Sequence, residues 1–348
     1  MKIALDVLGG DNAPLSTIEG AFSYLDEQGD SAAELILLGD KAQIESKIQE
    51  ITCDKSDITI HHTTQVIEMN ERSSRIFKEK PDSSLVQSIQ LVRDREVQAA
   101  VSAGNTGALL ASSLFLIGKI PGILRPAFAP FIPTNKDGFI LCDAGANADT
   151  KPQHLVQFAL MASAYMEHLK NNPNPRVSLL NIGLEENKGN DLTINAFPLL
   201  KKHIRNFIGN IESRDILEGK ADIVICDGFT GNIVLKLTEG IISHLMNWIQ
   251  ERDSVNITEK DASSIYKPVF DEIATTLDHE EHGATPLFGI NGVIMKCHGS
   301  TTAKGIKNSL IAAQKTVEEN LIEDIADRLS KHTDIFDKNN RTSETNPV

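Results

Sequence analysis

The chain predicts an α/β/α sandwich built on a mainly parallel sheet, with a helical hairpin protruding from it. Three observations carry this expectation. Apolar β-type runs alternate with helical patterns along most of the chain. Several runs are almost unbroken in apolar residues, as strands covered on both faces require. Their C-terminal ends are crowded with Gly, Asn, Asp, Ser and Thr, the residues of tight turns.

In chain order, the strands read as KIALD (2–6), ELILLG (34–39), DITIHH (57–62), AAVSA (99–103), FILCD (139–143), RVSLLN (176–181) and DIVICD (222–227). Helical stretches lie at 83–93, 106–118, 152–169 and 232–251. The run ALLASSLFLIG (108–118) follows a glycine turn and is too short to cross a membrane, so it reads as a buried helix. Residues 1–330 form one large domain by this reading. Within it, segment 240–282 stands apart. Ile241, Ile242, Leu245, Trp248 and Ile249 recur at helical spacing, and SSIYKPVFDEIATTL offers a second apolar face. Two such helices make a hairpin that packs on its own domain, on a second copy of the chain, or against a membrane surface. The polar turn ERDSVNITEKDASS weighs against the last. Residues 331–348 lack periodicity and apolar content and read as a disordered tail.

A chain of 348 residues is long enough to bury a sizeable core. The net charge of -14 gives no general attraction for nucleic acid, so an anionic substrate would need basic groups gathered locally. Cys53, Cys142, Cys226 and Cys297 form no CxxC pair and read as reduced thiols of a cytoplasmic protein. Met1-Lys2 leads straight into the first strand, with no signal peptide in between. No metal site is expected. His61 and His62 would point to opposite faces of a strand, and His279-x-x-His282 has no supporting carboxylate set.

Ligands of open α/β sheets bind beyond the carboxyl ends of the strands. Five such ends stand out: DVLGGDN (6–12), SAGNTG (102–107), DAGAN (143–147), NIGLEENKGN (181–190) and DGFTGN (227–232). Two of them, AAVSAGNTGALL (99–110) and DIVICDGFTGNIV (222–234), run strand, Gly-x-Thr-Gly, helix. Glycines there permit close backbone approach, and helix starts offer N–H groups to an anion. A single glycine loop is usually only a turn, but two of this kind suggest a phosphate-bearing ligand.

DVLGGDNAP, VIEMNE, VSAGNTGALL, IPGILRPA, DAGANADTKPQHLVQFA, LLNIG, KGN, NFIGNIESRDI, CDGFTGNIVLK and CHGST occur in this order. Across about residues 1–315 the chain resembles the bacterial phosphate acyltransferases of phospholipid synthesis, the acyl-acyl-carrier-protein:phosphate acyltransferases. The resemblance implies that inorganic phosphate attacks the thioester of a long-chain acyl group on acyl carrier protein. Acyl phosphate results, and a membrane glycerol-3-phosphate acyltransferase consumes it. It also implies a fold similar to isocitrate and isopropylmalate dehydrogenases and phosphotransacetylase, a homodimer, and no organic cofactor. The expected location is the cytoplasm, with peripheral contact at the inner face of the cell membrane. Asn12 replaces a histidine common in the family, Ser213 a frequent glycine, and Leu184 interrupts a usually acidic stretch.

Phosphate is already an anionic nucleophile and a thiol leaves readily, so this chemistry needs positioning and charge stabilisation above all. The expected catalytic pair is Lys188, in ENKGN, and Asn232, after GFTG. The Lys188 ammonium would neutralise phosphate or the oxyanion; a solvated loop lysine is the plain alternative. The Asn232 amide would donate to the oxyanion, or merely cap a helix. Asp227, Gly228, Thr230 and Gly231 are expected around one anion loop, and Ser102, Gly104, Asn105, Thr106 and Gly107 around the other. Asp6, Gly9, Gly10 and Asp11, then Asp143 and Asn147, then Asn181 and Gly183 occupy further strand ends as substrate contacts or their supports. His298, Gly299 and Ser300 in CHGST complete the set, with a structural role open for the histidine. Acidic carrier protein would dock on Arg72, Arg75, Lys78 and Lys80, or on Lys201, Lys202 and Arg205. Rival readings are a soluble phosphotransacetylase-like enzyme, an NAD-dependent decarboxylating dehydrogenase of the same fold, and a non-catalytic scaffold. No GxGxxG follows the first strand.

Overall fold

The expected parallel pairing is present, but divided between two sheets. The computed structural model describes residues 1–51, 58–71, 75–253, 273, 275, 276 and 278–332. The first sheet holds β1 (Lys2–Asp6), β2 (Glu34–Gly39), β3 (Ile58–His62), β4 (Ala99–Ser102), β5 (Ala127–Phe128), β11 (Thr285–Phe288) and β12 (Val293–Lys296), in the order β3-β2-β1-β4-β12-β11-β5. The second holds β6 (Phe131–Ile132), β7 (Phe139–Cys142), β8 (Val177–Asn181), β9 (Phe207–Glu212) and β10 (Ile223–Ile225), in the order β6-β7-β10-β8-β9. Antiparallel pairing is confined to the β12-β11-β5 side of the first sheet and to the β6-β7 pair of the second. The chain passes between sheets over two residues, Ala129 and Pro130.

Central strands are buried along their whole length, as their unbroken apolar runs require: every residue of β4, β7 and β10 is buried. Helices cover both faces. α1 (Leu15–Gln28) and α2 (Lys41–Glu50) share one core with the first sheet and with α9 (Ala303–Glu318). α3 (Ile76–Glu79), α4 (Ser84–Arg93) and α5 (Thr106–Ser112) share a second core on its other face. α6 (Pro152–Lys170), α7 (Asp191–His203) and α10 (Leu321–Ser330) pack on the second sheet. Its other face meets the start of α8 (Gly228–Asp253) through Val234 and Leu235. Each β-to-α crossover returns the chain so that parallel strand ends gather on one rim of each sheet.

Five strands escaped the sequence pattern. β5 and β6 have only two residues each, β9 carries Gly209 at φ 104°, and β11 and β12 have only four residues each. The helix expected over 106–118 is α5 up to Ser112 and then a wide turn, Ser113–Ile117, where Phe115 is exposed and stacks on Phe77. The first hairpin arm belongs to α8, which begins at Gly228 rather than near 232. Its residues do not share one environment. Ile241, Leu245 and Trp248 are exposed, whereas Ile242 lines an internal cavity. The second arm, Cys53, Arg72, the Ile249 side chain and the tail beyond 332 lie outside the described residues. Cys142, Cys226 and Cys297 are buried free thiols.

Candidate active site

A cavity of about 660 Å³ opens between the strand ends of the two sheets. Its polar end is lined by Asp11, Thr106, Asn232, Lys236, Lys296 and the His298–Ser300 loop. Its apolar wall includes Phe128, Pro130, Phe131, Ile132, Tyr165 and Leu169. α8 runs along it, contributing Asn232, Leu235, Lys236, Glu239 and Ile242 at helical spacing.

On the first sheet, parallel register sets three polar side chains in a row. Asp6 of β1 aligns with Ser102 of β4, and Ser102 aligns with Lys296 of β12. The Ser102 hydroxyl donates to Asp6 Oδ2 at 2.6 Å and accepts from Gly104 N at 3.0 Å. Asp6 is buried, and burial raises its carboxyl above the usual range against hydrogen bonding from Ser102, Ser84 and the Leu8 and Gly9 backbone. Gly9 lies so close to Gly104 that a Cβ would stand 2.6 Å from the Gly104 nitrogen. Gly10 lies beneath Gly299 O, and Asp11 N donates to that carbonyl at 2.7 Å. Asn12 donates to Ser300 O at 2.9 Å and so ties the β1 turn to the 298–301 loop.

Asn105 braces rather than faces the cavity. Its Oδ1 caps α5 at Ala108 N, and its Nδ2 donates to the carbonyls of Glu68, Met69 and Glu71. Gly107 belongs to the first turn of α5, and Thr106 faces the cavity.

The second rim corrects several expectations. GFTG is the first turn of α8, and three of its four backbone donors already have partners. Gly228 N donates to Asn147 O at 2.8 Å, Thr230 N to Asp227 Oδ1 at 2.8 Å, and Gly231 N to Asp227 O at 2.9 Å. The Thr230 hydroxyl donates to Asp227 Oδ2 at 2.7 Å. Asp227 therefore caps α8, which removes both the anion loop expected of these residues and the capping alternative for Asn232. The glycines serve packing instead. A Cβ at Gly231 would collide with the Asp143 carbonyl oxygen, and one at Gly228 would lie 2.5 Å from the Asn147 carbonyl.

Asp143 and Asn147 are likewise supports. The Asp143 carboxylate accepts from Phe128 N, Ala146 N, Asn147 N and Asn147 Nδ2, all at 2.8–3.0 Å. Burial pushes its pKa up to about 6 against those donors. Asn147 Nδ2 also reaches Pro126 O at 2.7 Å, tying the two sheets together. Asn181 holds the next loop, donating to Lys188 O at 2.9 Å and accepting from Ile182 N. Gly183 packs against the Lys188 stem.

Lys188 does not join Asn232 in the cavity lining. Gly189 turns at φ 105°, Asn181 pins the Lys188 carbonyl, and the side chain lies exposed at the end of β8, one strand beyond β10. Its ammonium has no partner among the described residues. Asn232 does face the cavity, and Gly145 passes within 3.4 Å of its Oδ1, measured from a Cβ position that glycine leaves empty.

The cationic groups in the cavity, Lys236 and Lys296, are ones to which the motifs gave no role. Lys236 stands one helical turn beyond Asn232, with Nζ 3.1 Å from Glu239 and 3.5 Å from His298 Nε2. Spacing i, i+4 from Asn232 was the available signal. Lys296 is only 8% exposed; burial lowers its pKa to about 8. His298 Nδ1 accepts from Ser300 N at 3.3 Å and lies 2.8 Å from its hydroxyl, which leaves Nε2 to face Lys236 and Glu239.

The α/β fold with two mainly parallel sheets is one this chain shares with solved structures. A phosphotransacetylase from Streptococcus pyogenes superposes with TM-score 0.61 at 16% identity, over 91% of this chain and 94% of that one. A 4-hydroxythreonine-4-phosphate dehydrogenase from Klebsiella pneumoniae superposes with TM-score 0.52 at 11% identity, over 91% and 98%. The family described as fatty acid synthesis protein matches residues 1–324. A phosphate acyltransferase of Halothermothrix orenii is 42% identical over 333 residues, 95% of this chain and 99% of that one. One from Clostridioides difficile is 41% identical over 341 residues, 98% and 99%. The chain belongs to this family of enzymes, the phosphate acyltransferases of fatty acid and phospholipid synthesis.

Proposed function

We propose that the chain transfers a long-chain fatty acyl group from acyl carrier protein to orthophosphate by direct attack on the thioester. One observation carries the reading: a single cavity is lined both by polar groups, among them Asn232, Lys236, Lys296 and His298, and by apolar ones such as Phe128, Phe131, Ile132 and Leu169. A phosphate oxygen of HPO4²⁻ forms the new C–O bond at the thioester carbon. The C–S bond breaks, and the phosphate proton passes to the departing sulfur, leaving acyl phosphate and free carrier thiol. The Asn232 amide donates to the transient oxyanion, a role worth about 10²–10³ in kcat where such donors have been removed. The acyl tail follows Phe128, Phe131, Ile132 and Leu169. Lys188, exposed at the neighbouring strand end, supplies charge at the cavity mouth.

Arg75 and Lys78 are the proposed carrier-protein contacts, because Lys80 and Lys201 are already paired with Glu71 and Glu186. The exposed stripe Phe229, Ile233, Leu237, Ile241, Leu245 and Trp248 of α8 suits a homodimer contact, with peripheral membrane contact as a second use. No helix among the described residues is long and apolar enough to cross a membrane. The product, a mixed anhydride, suits consumption by a membrane acyltransferase.

Long-chain acyl carrier protein and phosphate are mixed with the purified protein, and acyl phosphate is trapped with hydroxylamine. Acyl hydroxamate that requires both substrates is the expected result. Product only from short-chain thioesters of a soluble carrier would favour the phosphotransacetylase-like alternative, and no product at all would sink the reading.

A further inference from the structure

Orthophosphate needs a cationic seat, and Lys296 is built into the cavity floor to give one. It ends β12 in register with Ser102, directly under the His298–Ser300 loop. Its ammonium donates to the carbonyls of Ala103, at 3.3 Å, and Cys297. An ammonium has three N–H donors, so one remains for the cavity that the residue lines. No carboxylate lies within ion-pair distance of it among the described residues. The charged and titratable groups facing it are Asp6 from β1, Asp11 from the following turn, Cys297 from its own strand end and Lys236 from α8. A buried lysine without an ion pair is unfavourable, and an anion entering beside it relieves that cost.

We propose that Lys296 is a phosphate-binding residue: its free N–H donates to orthophosphate, and Lys236 closes the seat from α8. This rests on reading the cavity as the acyl-transfer site. The depressed Lys296 pKa fits the arrangement, because a bound anion restores the charge that burial disfavours.

The test uses the full chain and the variants Lys296→Met and Lys296→Arg. It combines steady-state kinetics in both substrates, calorimetric titration with inorganic phosphate alone, and thermal melting. Lys296→Met should raise the KM for phosphate at least tenfold and abolish the phosphate heat. The KM for acyl carrier protein should stay within twofold, and the melting temperature should hold or rise. Lys296→Arg should recover part of the phosphate affinity. In the parent protein the phosphate KM should climb above about pH 8, where Lys296 loses its proton, and it should stay flat there in Lys296→Arg. If Lys296→Arg does not fold, Lys296→Met decides alone. An unchanged phosphate KM and heat in Lys296→Met overturns the proposal. So does an equal loss for both substrates with a lower melting temperature, which marks a structural lysine. So does a parent protein that gives no phosphate heat. A parent that binds phosphate yet forms no acyl phosphate instead defeats the acyl-transfer reading and leaves the seat standing.

Discussion

Asp6 closes β1 of the first sheet and Asp143 follows β7 of the second, and their surroundings differ. Asp143, after β7, is buried and accepts four hydrogen bonds, every one from the loop and strand it holds. Asp6, at the end of β1, is equally buried; its Oδ2 accepts from the Ser102 hydroxyl, and Ser84 and the Leu8 and Gly9 backbone also act on the carboxyl. Burial raises both carboxyls. Asp143 holds the loop after β7, whereas Asp6 holds Ser102 and the glycine turn behind the cavity, whose lining includes neither aspartate. The partners of a buried carboxyl thus tell what it supports, where the sequence shows only two similar Asp-and-glycine motifs.

The largest expected effect breaks the scaffold side. Asp143→Ala leaves four donors without their acceptor, three of them backbone N–H groups. At about 1–3 kcal/mol for each buried donor left unpaired, the loss should exceed about 4 kcal/mol. Asp6→Ala removes the acceptor of the Ser102 hydroxyl and should destabilise by about 1–3 kcal/mol, less than Asp143→Ala. Urea unfolding of both variants checks the contrast, and equal losses would dissolve the distinction. Gly231→Ala should fall with Asp143→Ala, because its methyl would collide with the Asp143 carbonyl.

How far the sequence could be read follows the same line. Long apolar strands such as ELILLG and FILC were legible, because burial on both faces imposes one composition. The split into two sheets was not. It depends on β5 and β6, two residues each, where no periodicity can show. Motifs located the rims, and of the residues they singled out Asn232, Thr106 and the CHGST loop line the cavity. They misplaced GFTG as an anion loop, because a glycine chosen for helix-to-turn packing looks the same in sequence as one chosen for a ligand. Lys296 was hidden by its neighbours. VIMK reads as a short strand, and only the register with Ser102 and Asp6 shows where its amine lies.

The next effect separates chemistry from scaffold on α8. Asn232 is exposed to the cavity and its amide has no hydrogen-bond partner among the described residues, so Asn232→Ala should leave the melting temperature almost unchanged. Its kcat should nonetheless fall by about 10²–10³. Lys188→Ala, one strand end further out, should lower kcat/KM by only about tenfold, since a charge at a solvated mouth is screened. Hydroxylamine-trapping rates for the two variants rank them. A larger loss at Lys188 than at Asn232 would mean that the β8 loop closes over the cavity in the working enzyme and that this arrangement of the rim is incomplete.

The smallest effect concerns approach rather than reaction. Arg75 and Lys78 flank the loop that Asn105 pins through Glu68, Met69 and Glu71, and Met69 reaches the cavity. Lys80 on the same segment is tied to Glu71 at 2.5 Å and to Val66 O at 2.6 Å, so its charge already serves the loop. An acidic carrier arriving here would meet Arg75 and Lys78 first, against an overall charge of -14 that otherwise repels it. The double variant Arg75→Glu, Lys78→Glu should raise the KM for acyl carrier protein about three- to tenfold at low salt and leave the phosphate KM alone. Because exposed charges act through a screened solvent, the difference should shrink toward unity near 0.5 M salt. A salt-independent loss, or one shared with phosphate, would place the carrier elsewhere and make these side chains part of the fold's support rather than of its recognition surface.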